Sequence, residues 1–155
     1  MADRVPPRRY QLWRISPFAD LSGRGGVLAS GRWHSAGRPV VYLAETPAGA
    51  MLETLVHLEL DPEDVPDTYQ LLRVDVPEDA SLGVATELEA GWEEDHAATQ
   101  AVGNLWLEEG ESLLLRVPSA IMPHTRNYLL NPAHHEASEV DFEAERWQFD
   151  KRLLK

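Results

Sequence analysis

Hydrophobic and polar positions along this chain change period several times, and the changes predict strands and helices in mixed order. Tyr10 to Ile15 (YQLWRI) reads as a first strand, with Arg14 on the opposite face from Trp13. Pro39 to Leu43 reads as a second, because Val40, Val41, Tyr42 and Leu43 are all strand formers. Thr46 followed by Pro47 is a helix start, a hydroxyl cap before a residue with no amide to satisfy. The helix is expected over 47–60, with Ala48, Met51, Leu52, Leu55 and Leu58 as its core-facing stripe. Glu53 and His57 fall on the other side, one turn apart.

Tyr69 to Val76 (YQLLRVDV) alternates as a strand and is ended by Pro77. Residues 78–92 are acidic and read as irregular. From Glu93 to Glu109 the period turns helical, with Ala98, Val102, Leu105 and Trp106 on one stripe and Gly110 as the stop. Gly103 inside that helix costs about 1 kcal/mol against alanine, which points to a close contact there. Ser112 to Val117 (SLLLRV) is the strongest buried strand, and Tyr128 to Leu130 is a short one. The tail from Phe142 to Phe149 reads as a strand too. With no repeat or linker, this predicts a single mixed α/β (α+β) domain over residues 10–155, with central strands, flanking helices and a flexible leader at 1–9.

Composition narrows the function. The chain has 155 residues, enough to bury roughly two-thirds of its unfolded surface. No apolar run is long enough to span a bilayer, and no secretion signal is read at the start, so a cytoplasmic protein is expected. The absence of cysteine removes disulfides and thiolate chemistry. A net charge of −12 argues against direct contact with nucleic acid over a broad face. An anionic substrate must therefore be held by a local arginine cluster, whose planar forks suit phosphate or carboxylate.

The stretch from Gly31 to Glu53 concentrates such chemistry. Arg32 and Arg38 flank a turn-rich SAGRP segment expected to expose both guanidinium groups, and a strand arginine such as Arg14 needs an exposed face or a partner. Tyr42 is read either as a core tyrosine or as a substrate contact. Glu53 is read either as a solvated carboxylate paired with His57 or as a half-desolvated group facing a cleft. Ser119 stands at a strand end without a GxSxG context, which suits a hydrogen-bond donor better than a nucleophile. Asn127 and Asn131 either read a polar ligand or satisfy turn backbone. The histidines have no metal-ligand spacing, and no metal is expected; His34 and Glu45 lie near the site without an assigned role. The glycines of DLSGRGGVLASG read as a loop and match no nucleotide-binding pattern.

Taken in order, LWRIS, GRWH, GRPVVYLAE, AMLETLVHLE, GNLWL, LLLRVPSAIMP, NYLLNP followed by His134, and the closing RLLK resemble the RES-domain toxins of bacterial toxin–antitoxin systems. The arginine, glutamate and serine behind that name are matched here by Arg32, Glu53 and Ser119. The resemblance implies a fold like that of ADP-ribosyltransferases and destruction of NAD by cleavage of its nicotinamide–ribose bond, with phosphate or water as acceptor. NAD would be substrate rather than cofactor, and phosphate a co-substrate. Glu53, Arg32 and Tyr42 would be catalytic, with Arg14, Arg32, Tyr42, Ser119 and Asn127 binding substrate. It also implies an Xre-type helix-turn-helix antitoxin that covers the site, and a toxin dimer within a larger complex. Two other readings stand beside it: a protein ADP-ribosyltransferase, and a non-catalytic module that binds a nucleotide or a partner.

Overall fold

The computed structural model describes residues 8–58 and 65–154. Seven strands form one sheet: β1 (Arg9–Ser16), β2 (Val41–Ala44), β3 (Gln70–Pro77), β4 (Leu82–Val84), β5 (Leu114–Pro118), β6 (Arg126–Leu130) and β7 (Asp141–Arg146). Their order across the sheet is β4-β5-β6-β2-β1-β3-β7. All neighbours run antiparallel except β4 and β5. Among the described residues three α-helices accompany the sheet: α1 (Arg24–Leu28), α2 (Pro47–His57) and α3 (His96–Glu109). The mixed α/β expectation is met.

Alternation sorts the sheet into two faces. In β3, Leu72, Val74 and Val76 are fully buried and join Leu12, Val41 and Leu43 in one core. Each such side chain contributes roughly 1.5–3 kcal/mol of burial. On the other face Leu115, Val117 and Leu129 pack under Trp33 and Trp106. This second core joins α3 and the loop before β2 to the β5–β6–β2 half of the sheet. The face over β1 is left to α2, and the site lies between these two covers.

Local signals place the helices well. Thr46 Oγ1 accepts from the Gly49 amide at 2.9 Å and Pro47 opens α2. Gly110 ends α3 at φ 61°, and its amide bonds to the Trp106 carbonyl. The stripes need correction. Ala48 is exposed and Ala50 is the buried residue of α2, because this helix presents Ala50, Glu53 and His57 to a cleft. In α3 the buried positions are Thr99, Gly103 and Trp106, while Ala98 and Leu105 are exposed. A three-residue strand, β4, lies in the 78–92 segment read as irregular, and α1 lies in the glycine-rich loop. β1 starts at Arg9; the rest of the expected leader (1–7) and positions 59–60 of the expected helix lie outside the described residues.

α3 grips the 31–38 loop through polar and small residues. Thr99 donates to the Arg32 carbonyl at 2.6 Å, Gln100 to the Gly31 carbonyl at 3.0 Å, and Asn104 exchanges two bonds with Ser35. Gly103 sits against Trp33 so closely that an added Cβ would overlap the Trp33 carbonyl. The Gly103→Ala variant is therefore expected to lose about 1–3 kcal/mol despite better helix propensity. Thermal unfolding checks this, at roughly 2–4 °C per kcal/mol, and an unchanged midpoint would contradict the contact.

Candidate active site

β1 and β2 pair at a single position, Trp13 with Ala44. Beyond it Arg14 to Ser16 pair only with β3, and Val41 to Leu43 only with β6. A cleft of about 600 Å³ opens in this split, with α2 along one wall. Arg14, Arg32, Tyr42, Glu53 and Asn127 all line it, and Ser119 reaches it by bonding Glu53. The six residues singled out in the sequence thus come from six separate segments and meet in one place.

Glu53 is the fixed point of the cleft. Its Oε1 accepts from Ser119 Oγ at 2.9 Å and from Asn127 Nδ2 at 2.8 Å. The carboxylate can only accept, so the Asn127 amide must turn its nitrogen toward it. Both bonds fall on Oε1, which leaves Oε2 for a ligand. Ser119 Oγ also accepts from the Ile121 and Met122 amides, so its hydrogen is directed at Glu53. Asn127 Oδ1 is buried without a hydrogen-bond partner among the described residues, at a cost of about 1–3 kcal/mol. Glu53 takes its hydrogen bonds from Ser119 and Asn127 and is not paired with His57.

Tyr42 is held by its hydroxyl. That oxygen accepts from the Trp33 amide at 3.0 Å and lies 2.7 Å from His34 Nδ1. The other histidine nitrogen, Nε2, lies 3.0 Å from the Gly26 carbonyl, which can only accept. Nε2 therefore carries the hydrogen, and in the neutral ring Tyr42 donates to Nδ1. Burial raises the Tyr42 pKa, and the Trp33 amide opposes that rise. With its hydroxyl committed on both sides, Tyr42 offers the cleft its ring. Gly31 packs against this ring, where a Cβ would overlap the phenol oxygen. His34, only 1% exposed, thereby acquires the role the sequence left open. Glu45 accepts from the Arg126 amide at 3.2 Å and steadies the start of β6.

The two arginines differ. Arg32 NH2 donates to the Trp92 carbonyl at 3.0 Å and to the Glu93 carbonyl, and NH1 lies 2.9 Å from His96 Nε2. Its guanidinium also lies 5.9 Å from the Trp92 ring, so Arg32 tethers the 92–96 turn beside the cleft. Only its Nε is buried and unpartnered. Arg38 pairs with Glu108 at 2.6 Å, so the SAGRP turn does not leave both guanidinium groups free. Among the described residues Arg14 makes one side-chain bond, to the Asp20 carbonyl at 3.3 Å. Burial lowers its pKa and nearby Asp20 opposes this, yet an arginine remains cationic. A half-buried cation with so little satisfaction is the group here most in need of an anion.

The sequence did not point to His96, Trp33 or Tyr69 as cleft residues, since their neighbours in space lie far away in the chain. A second hollow of about 540 Å³ lies beside Leu130, His134 and Val140. There His134, His135 and Glu136 bring their donor atoms together. His134 Nδ1 already accepts from the Glu136 amide, and the Glu136 carboxylate accepts from Ser81 twice, so these atoms serve to pin the turn.

A family model for the RES domain matches residues 4–152. The chain belongs to the RES domain family. It is 54% identical over 143 residues to a Toxin Res of Pseudomonas putida, covering 92% of this chain and 99% of that protein. A Prs ADP-ribosylating toxin of a Sphingobium species is 36% identical over 156 residues, with 92% and 96% covered. A Toxin Res of Photorhabdus laumondii is 39% identical over 140 residues, covering 86% and 88%. The RES domain is ADP-ribosyltransferase-like, in agreement with the expected fold. No helix among the described residues is long and apolar enough to cross a membrane.

The tyrosines give this RES domain an alkaline signature. Burial holds the Tyr42 proton above the usual value of 10.0, and burial followed by Tyr128 pushes Tyr10 up to about 12. The unfolded chain loses these protons first, so their contribution is complete below pH 10 and is lost as pH rises beyond it. Denaturant unfolding between pH 9 and about 12 is expected to show Tyr42→Phe losing less stability with pH than the wild type. Equal slopes would contradict the burial of that hydroxyl.

Proposed function

We propose that this RES domain is the toxin of a toxin–antitoxin pair and that it cleaves NAD between nicotinamide and ribose. The observation that carries the reading is the Glu53 carboxylate, fixed through Oε1 by Ser119 and Asn127, standing with Arg14 in one cleft. Breaking that bond leaves its electron pair on nicotinamide and positive charge on the ribose. A preoriented carboxylate that needs no rearrangement stabilises such charge most effectively. Glu53 Oε2 takes a ribose hydroxyl and faces the developing oxocarbenium, while the Tyr42 ring packs against ribose or nicotinamide. Arg14 pairs with the pyrophosphate, and Arg32 acts by holding the 92–96 turn. The acceptor, phosphate or water, bonds to the ribose carbon and gives up a proton. This chemistry does not require a metal.

A second reading, transfer of ADP-ribose to a protein, is favoured by the name of the Sphingobium relative. Both readings share the first bond cleavage and differ in the acceptor. The partner in either case is an Xre-type helix-turn-helix antitoxin that covers the cleft and makes the DNA contacts, since a net charge of −12 disfavours them in this chain. The toxin acts in the cytoplasm and is a dimer within the larger complex.

Purified protein incubated with NAD and no other protein is expected to release nicotinamide, faster with phosphate if phosphate is the acceptor. Release only after a protein substrate is added would favour transfer, and no release under any condition would reject NAD cleavage. Glu53→Gln is expected to retain NAD binding and lose about a hundredfold or more in turnover. Turnover like that of the wild type would remove Glu53 from the chemistry.

A further inference from the structure

We propose that the far end of the cleft, formed by Trp13, Ile15 and Tyr69, is a subsite for a second heteroaromatic base, the adenine of the dinucleotide. It rests on the NAD reading above and assigns to this end what discriminates a dinucleotide from a mononucleotide.

The order of the sheet sets out the ligand's parts. β2, β1 and β3 are neighbours. Tyr42 lies on β2, and Ala44 of the same strand pairs with Asn127, which holds Glu53. Arg14 lies on β1, and Tyr69 immediately precedes β3. Two strand spacings, roughly 10 Å, together with the split between β1 and β2 separate the outer members. A ribose at Glu53 thus has a cation one strand away and an aromatic end two strands away. That sequence, sugar then anion then base, matches one half of a dinucleotide reaching toward the other. Arg14 points away from Trp13 by alternation, but it reaches the cleft because β1 has no β2 partner there.

The end itself is aromatic and braced. Ile15 pairs with Leu71, so Tyr69, two residues earlier, shares the face of Ile15 and Trp13. The Tyr69 ring meets Phe149 edge-on at 5.4 Å, and Phe149 meets Trp147 at 4.4 Å. The Trp147 amide donates to the Tyr69 carbonyl at 3.1 Å. The segment after β7 therefore holds Tyr69 from behind while its cleft side remains open to a ligand. A braced ring loses little entropy when a base stacks on it.

The test is calorimetric titration of AMP into the wild type, Tyr69→Leu, Tyr69→Phe and Glu53→Gln. Leucine keeps apolar contact with Phe149 and removes the ring, so folding is preserved. AMP is expected to bind the wild type, roughly tenfold or more weakly to Tyr69→Leu, and nearly unchanged to Tyr69→Phe and Glu53→Gln. Absence of AMP binding by the wild type, or equal binding by wild type and Tyr69→Leu, overturns the subsite. Tyr69-dependent AMP binding in a protein that releases no nicotinamide leaves the subsite standing and rejects the catalytic reading.

Discussion

One carboxylate ties the two sides of this domain's cleft together. Through Oε1, Glu53 on α2 accepts from Ser119 beyond the end of β5 and from Asn127 on β6. The helix is thereby fixed across a gap that the sheet does not close, since β1 and β2 share only the Trp13–Ala44 pair. Hydrogen bonds to a charged acceptor are worth about 1.5–3 kcal/mol each, more than neutral ones. The same two bonds that hold α2 also aim the second carboxylate oxygen, so structural and chemical demands fall on one group.

The opposite wall is built by close approach. Gly103 lets α3 meet the Trp33 backbone, and Gly31 lets its loop meet the Tyr42 ring. Tyr42 in turn is fixed by Trp33 and by His34, whose far nitrogen is anchored on the carbonyl of Gly26 in α1. Arg32 extends this wall to the 92–96 turn. The family's characteristic arginine thus sits in a scaffold of carbonyl acceptors, while Arg14 supplies the less satisfied cation. Packing on one side and a charged clasp on the other leave the cleft little freedom to change shape.

How much of this was legible depends on the range of the interactions. The Thr46–Pro47 start and the Gly110 stop were readable because caps are local. The alternation of β3 and the apolar run of β5 were readable for the same reason. The α2 stripe was misjudged at Ala48, because a helix lining a cleft buries a different side from one sealing a core. The α3 stripe was misjudged because its partner is a loop gripped by threonine, glutamine and asparagine, which carry no hydrophobic period. β4 escaped notice as a three-residue strand paired in parallel with a strand far along the chain. Residue types and positions single out the members of the cleft one by one and the family resemblance groups them, but neither gives their linkage. Nothing local says that Ser119 and Asn127 converge on Glu53, or that Arg32 is spent on carbonyls.

The central claim is that a clasped carboxylate in the β1–β2 split meets the nicotinamide ribose of NAD. A crystal structure of Glu53→Gln with NAD tests it most directly, because the variant is expected to bind without turning over. The nicotinamide ribose is expected within hydrogen-bond distance of residue 53 and the pyrophosphate against Arg14. NAD bound outside the split, or seated in it with its ribose remote from residue 53, would contradict the account.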